Sequence, residues 1–118
     1  MGDESAPRVS QVLHPVADVP AAIEFYDNAF GFAVAFADGD RYAALEAGPV
    51  KLALAGPAED VTGGESAASI KVADVEAAVG AFVAAGGSIV RPAEQGPHEI
   101  RAVVRDPWGN PLVVYGRA

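Results

Sequence analysis

Val16-Ala17-Asp18-Val19-Pro20-Ala21-Ala22-Ile23 returns at an offset of 56 as Val72-Ala73-Asp74-Val75-Glu76-Ala77-Ala78-Val79. The correspondence continues, with Tyr26 matching Phe82 and Gly31-Phe32-Ala33-Val34 matching Gly87-Ser88-Ile89-Val90. Further on, Val50-Lys51-Leu52-Ala53-Leu54-Ala55-Gly56 matches Asn110-Pro111-Leu112-Val113-Val114-Tyr115-Gly116 at an offset of 60, so the second copy carries about four extra residues. Self-similarity over such a distance means two copies of one supersecondary unit.

Each copy contains one helix. Asp18 is a good N-cap, Pro20 fits the first turn, and Val19, Ala22, Ile23, Tyr26 and Phe30 share one helical face before Gly31 stops the run. In the second copy Asp74 is the cap, Val75, Ala78, Val79 and Phe82 form the stripe, and Gly86-Gly87 is the stop. Both stripes are expected to be core. A short strand precedes each helix, at Val9–Val16 and Ala67–Val72. Three strand-like runs follow each: Phe32–Ala37, Tyr42–Ala47 and Val50–Ala55, then Ser88–Arg91, Glu99–Arg105 and Pro111–Tyr115. Asp38-Gly39-Asp40, Gly48-Pro49 and Asp106-Pro107-Trp108-Gly109-Asn110-Pro111 are turns. Each unit therefore reads βαβββ. A ferredoxin-like βαββαβ chain has no place for the extra pair of strands. The expected organisation is a flexible N-terminal tail over residues 1–8 and one domain over 9–118, divided into module one (9–56), a linker (57–66) and module two (67–116).

The 118 residues are 51% hydrophobic and 20% charged, enough for a core without disulfides, and the absence of cysteine removes thiol nucleophiles and thiolate metal sites. The net charge of −8 argues against nucleic acid or an anionic membrane as partner. Residues 1–60 hold ten acids and three bases, and residues 61–118 six and five, so a charged ligand is expected to be a cation. The N-terminal residues are acidic and polar, unlike a secretory signal, and no apolar run approaches the length of a bilayer span. A soluble, cytoplasmic protein is expected. No Walker loop, G-x-G-x-x-G or G-x-S-x-G is present.

Val16-Ala17-Asp18-Val19, Phe25-Tyr26, Phe30-Gly31-Phe32 and Asp106-Pro107-Trp108-Gly109-Asn110, in that order and within a duplicated βαβββ unit, resemble the vicinal oxygen chelate superfamily of glyoxalases, dioxygenases and bleomycin-resistance proteins. The resemblance runs from Val9 to Tyr115 and implies an α+β fold in which two tandem βαβββ modules form curved sheets around a cavity. In metal-dependent members it implies two ligands per unit, which fall here at Gln11, Ala53, Ala67 and Val113. Ala and Val have no lone pair to donate, and one neutral amide does not hold an ion against water. No metal, no cofactor and no catalytic residue are therefore assigned. His14 is expected on the opposite face from Gln11, packed on the helix, and His98 at a loop edge. His98 with Arg101 or Glu99 is the one grouping suited to acid–base work.

Strand alternation from Gln11 places Leu13 on the cavity wall, alternation through Ala53 and Val113, the positions the resemblance implies, adds Lys51, Ala55, Pro111 and Tyr115, and Phe36, Tyr42, His98, Arg101 and Trp108 are further candidates for ligand contact. The function expected from these residues is non-catalytic binding of a small molecule, as in the bleomycin-resistance branch, sequestering a bulky aromatic or cationic antibiotic-like compound. The other reading is an enzyme of the same superfamily, a lyase, isomerase or dioxygenase acting on a small oxygenated metabolite. A homodimer is expected, because the resemblance implies that family members of this length complete their cavities by pairing units across chains.

Overall fold

Each half of the chain turns a parallel first strand into a three-stranded antiparallel meander by way of one helix. The structure is a computed structural model and describes residues 6–117. The elements are β1 (Arg8–Pro15), α1 (Val19–Phe30), β2 (Val34–Asp38), β3 (Tyr42–Leu45) and β4 (Lys51–Ala55), followed by β5 (Ala67–Lys71), α2 (Val75–Ala84), β6 (Ser88–Gln95), β7 (Ile100–Arg105) and β8 (Pro111–Gly116). Residues 1–5 of the expected tail lie outside the described residues, and Arg8, assigned to that tail from sequence, already belongs to β1. The chain divides into two compact units, one over Ser10–Ser66 and one from Ala67 onward that also takes the residues up to Val9.

The two modules have the same wiring. In the first, β1 runs parallel to β4, β4 antiparallel to β3, and β3 antiparallel to β2. In the second, β5 runs parallel to β8, β8 antiparallel to β7, and β7 antiparallel to β6. This is the α+β fold of two βαβββ modules that the repeat predicts.

Capping explains why the helices begin and end where they do. Asp18 Oδ1 accepts the Ala21 backbone N–H at 3.0 Å, and Asp74 Oδ1 accepts that of Ala77 at 3.1 Å. Each cap satisfies an amide that has no partner within its own helix. Gly31 closes α1 in the left-handed region at φ 71°, with its N–H on the Asp27 carbonyl at 2.8 Å. The end of α2 is slightly different: Ala85 caps it in ordinary helical conformation, and Gly86 then makes the turn at φ 117°.

Each helix covers one face of its own sheet. Val19, Ala43, Leu45 and Leu54 form the first core, with Val16, Ala22, Ile23, Tyr26, Phe32 and Leu52 packed around them. Val72, Val75, Val79, Ala102, Val104 and Val114 form the second, with Ile70, Phe82, Ile100 and Leu112 against it.

Three local expectations are corrected. Phe30 is not core but 67% exposed: α1 packs Val19, Ala22, Ile23 and Tyr26 into the core, and Phe30, one turn further on, rests on the rings of Tyr26 and Phe32. Phe32 precedes β2 and packs into the core. β6 extends to Gln95 through Pro92, with register shifts on either side of Arg91. Its described ladder is with β7 alone, so the N–H that proline lacks is not needed there.

Candidate functional site

Helix packing uses one face of each sheet, so chemistry has the other. In module one the register lines up Leu13, Ala53, Ala44 and Phe36 across β1, β4, β3 and β2 on the helix-free face. The neighbouring row is Pro15, Ala55, Tyr42 and Asp38, and the row on the other side starts with Gln11 and Lys51. Leu13, Ala44, Ala53 and Ala55 are buried and make an apolar floor. Tyr42 is half-buried and Phe36 is 48% exposed; their rings meet at 6.1 Å and an interplanar angle of 50°. The Tyr42 hydroxyl donates to Gln11 Oε1 at 3.4 Å. Six sequence-predicted residues, Gln11, Leu13, Phe36, Tyr42, Lys51 and Ala53, thus share one face. Lys51 is exposed at its margin, with Nζ 3.5 Å from Glu46 Oε1. The acid excess of residues 1–60 is mostly elsewhere, on α1 and in the turns and linker, with Asp38 the acid that the strand register puts on this face.

In module two the corresponding face carries Val113 and Tyr115 of β8, Arg101 and Val103 of β7, and Ser69 and Lys71 of β5, paired as Ser69 with Val113, Lys71 with Tyr115 and Arg101 with Tyr115. Arg101 Nη1 lies 3.8 Å from Glu99 Oε2. His98 and Trp108 lie at opposite ends of β7. His98 precedes β7 in an exposed loop and Trp108 follows it in the β7–β8 turn, so a six-residue strand, about 17 Å long, separates them. Trp108 is 84% exposed.

That turn is built around Asp106. Its Oδ1 accepts the backbone N–H groups of Asn110 at 2.9 Å and Trp108 at 3.0 Å, and its Oδ2 accepts from the Asn110 side-chain amide at 3.0 Å. The Asn110 backbone N–H, then its side-chain amide, then the N–H groups of Trp108 and Gly109 hold the carboxyl below its ordinary pKa, because all of them favour the charged form.

His14 lies on the helix side, as alternation predicts. Its Nε2 is 3.1 Å from the Tyr26 hydroxyl and its Nδ1 is 2.7 Å from Ser66 Oγ, which ties the end of the linker to α1. Two features escaped the sequence reading. One is a cavity of about 290 Å³ where β1 and β4 run into the linker, lined by Pro15, Val16, Ala17, Ala55, Pro57, Asp60 and Gly64. It needs the linker to fold back, which no local pattern announces. The other is the Ser69/Lys71 pair, which carrying Leu13 and Pro15 forward by the offset of 56 would have found.

The family model for the glyoxalase/bleomycin resistance protein/dioxygenase superfamily matches residues 8–114. The chain belongs to that superfamily. A relative in Mycolicibacterium smegmatis, an uncharacterized protein, is 41% identical over 107 residues, 91% of each chain. Among solved structures, the chain is similar to one described as an NAD-dependent benzaldehyde dehydrogenase from Legionella pneumophila, with TM-score 0.78 and 19% identity over 92% of this chain and 98% of the other. It is also similar to methylmalonyl-CoA epimerase from Mycobacterium tuberculosis, with TM-score 0.70 and 21% identity over 92% of this chain and 87% of the other. At these identities the likeness concerns the fold.

A divalent ion of the kind that metal-dependent superfamily members carry does not fit the residues found here. Ala53, Ala67 and Val113 offer no donor atom, and Gln11 Oε1 already accepts from Tyr42. Among the described residues no three His, Asp or Glu side chains gather around a common point.

Proposed function

We propose that this superfamily member is a non-catalytic binding protein that holds a bulky aromatic, antibiotic-like small molecule on the helix-free face of module one, without a metal ion. The observation that carries this reading is the Phe36–Tyr42 pair standing half-exposed over a floor of Leu13, Ala44 and Ala53, where the metal-dependent pattern would need a donor. A planar ring laid on that floor gains about 25 cal/mol per Å² of apolar surface buried, and stacking on an aromatic side chain adds about 0.5–1.5 kcal/mol. The Gln11 amide is the polar group that orients it. An exposed charge contributes at most about 1 kcal/mol, so salt weakens binding only modestly.

The test is a panel of planar polycyclic and cationic glycopeptide antibiotics, scored by melting temperature and by calorimetric titration at low and high salt. The expected result is a melting temperature raised by at least one planar compound. Tyr42→Ala and Phe36→Ala should then each lower its affinity about tenfold, close to 1.4 kcal/mol. Tryptophan emission is a poor reporter of this face, because Trp108 sits in the exposed β7–β8 turn of the other module. Elemental analysis of dialysed protein should find well under one equivalent of divalent metal. If no compound raises the melting temperature while a small α-keto or catechol-like metabolite is turned over, the enzyme reading replaces this one.

A further inference from the structure

The helix-free face of module two has a different chemistry from that of module one. The chain has eight Lys and Arg residues, and four of them, Lys71, Arg91, Arg101 and Arg105, fall on this face by register. Two acids accompany them: Glu94 pairs with Arg91 at 3.0 Å, and Glu99 lies 3.8 Å from Arg101. The local balance is 4 − 2 = +2, in a protein whose net charge is −8. Arg105 Nη1 donates to the Gly109 carbonyl at 2.6 Å, so its role includes bracing the turn. Lys71 is half-buried and has no ion-pair partner among the described residues. Two residues earlier, on the same face of β5, the Ser69 hydroxyl is 1% exposed and has no hydrogen-bond partner among the described residues.

A buried hydroxyl without a partner is uncommon in folded proteins, because its desolvation goes uncompensated. An ammonium drawn partly out of water beside it adds a second uncompensated group. Ser69 and Lys71 are about 7 Å apart along the strand, and Tyr115 and Arg101 continue the Lys71 row over about 10 Å. An oxyanion placed there takes a hydrogen bond from Ser69 and a charge-assisted one from Lys71. We infer that the helix-free face of module two is an oxyanion-binding site for the carboxylate or phosphate group of a small molecule, with Ser69 and Lys71 as its principal contacts. This rests on the reading that the protein binds small molecules, and at this face it calls for a negative group where the acidic composition suggests a positive one.

Four probes that share a ring separate the terms: 2-naphthoate, 2-naphthyl phosphate, 2-naphthylmethanol and 2-naphthylmethylammonium, titrated by calorimetry and by backbone amide shifts. At least one anion should bind about tenfold more tightly than the alcohol, and the tighter of the two identifies the group as carboxylate or phosphate. Lys71→Met should abolish that advantage and leave the alcohol unchanged, Lys71→Arg should retain most of it, and Ser69→Ala should reduce it. Wild-type ranking alone overturns the inference if the alcohol or the ammonium binds as tightly as both anions, whether or not the variants fold. If no naphthyl compound binds, the aromatic reading of module one fails. Inorganic phosphate then decides: shifts at Ser69 and Lys71 that Lys71→Met abolishes uphold the anion site, and their absence removes it.

Discussion

Asp106 shows how much one carboxylate in a turn does for this fold. Two backbone N–H groups and one side-chain amide of the β7–β8 turn converge on it while the Gly109 N–H takes its backbone carbonyl, and the turn sets the register in which Val113 and Tyr115 meet Val103 and Arg101. Since its folded-state pKa lies below the ordinary 3.8, its stabilisation is complete well above pH 3.8 and is lost as the pH falls through the lowered value. Asp106→Ala should therefore melt below the wild type at pH 7, with the gap closing as the pH falls below 3.8 and through the lowered value. Melting curves followed by circular dichroism across that range check it, and a gap independent of pH would count against the account. The Asp-Pro-x-Gly-Asn pattern of this turn was legible in the sequence, as were the two caps, because each depends on a few neighbouring residues. The bond between Tyr42 and Gln11 was not, since it joins residues 31 apart through a sheet register that sequence leaves open.

At the scale of elements, a glycine stands at the end of the last strand of each module, just after β4 and at the final position of β8, for the same reason. A Cβ at Gly56 would meet the Asp40 carbonyl oxygen at 2.5 Å, and one at Gly116 the Val72 carbonyl oxygen at 2.5 Å and Val75 Cγ2 at 3.3 Å. The requirement is space, because neither residue has positive φ. The end of the strand presses against backbone, in module two at the entry to the helix. Gly56→Ala and Gly116→Ala should each destabilise the protein by about 1–3 kcal/mol, measured by urea unfolding. The duplication made the equivalence of these glycines visible at the offset of 60, but not its cause. Strand limits were less legible than helix limits. The extension of β6 through Pro92 follows from which strands it pairs with, and the exposure of Phe30 from how far α1 runs beyond Tyr26, the last residue of its stripe packed on the core.

At the scale of the molecule, large apolar side chains remain uncovered in both modules. Phe25 and Phe30 on α1, Val34 and Phe36 on β2, and Ile89 and Val90 on β6 are all exposed. Scattered apolar residues are ordinary, but neighbouring aromatics on a helix and on strands that pair along one described side are surfaces a second copy can cover. We expect a two-fold homodimer. Light scattering at micromolar concentration should give twice the 12.0 kDa of the chain, and a value near 12.0 kDa would count against pairing.

The sequence by itself determined the duplicated βαβββ plan, the caps and glycine stops of its helices, the turn at Asp106 and the absence of donor atoms at Ala53, Ala67 and Val113, where the superfamily resemblance implies ligands. All of these are written in short windows or in the spacing between two copies, where local stereochemistry and side-chain type suffice. Tertiary structure decided which charges meet on a face. The acidic composition pointed to a cationic ligand, yet strand pairing draws Lys71, Arg91, Arg101 and Arg105 together and leaves most acids on helices, turns and the linker. Net charge is a sum over the chain, whereas a bound molecule feels the few groups that register and burial bring within a Debye length of it.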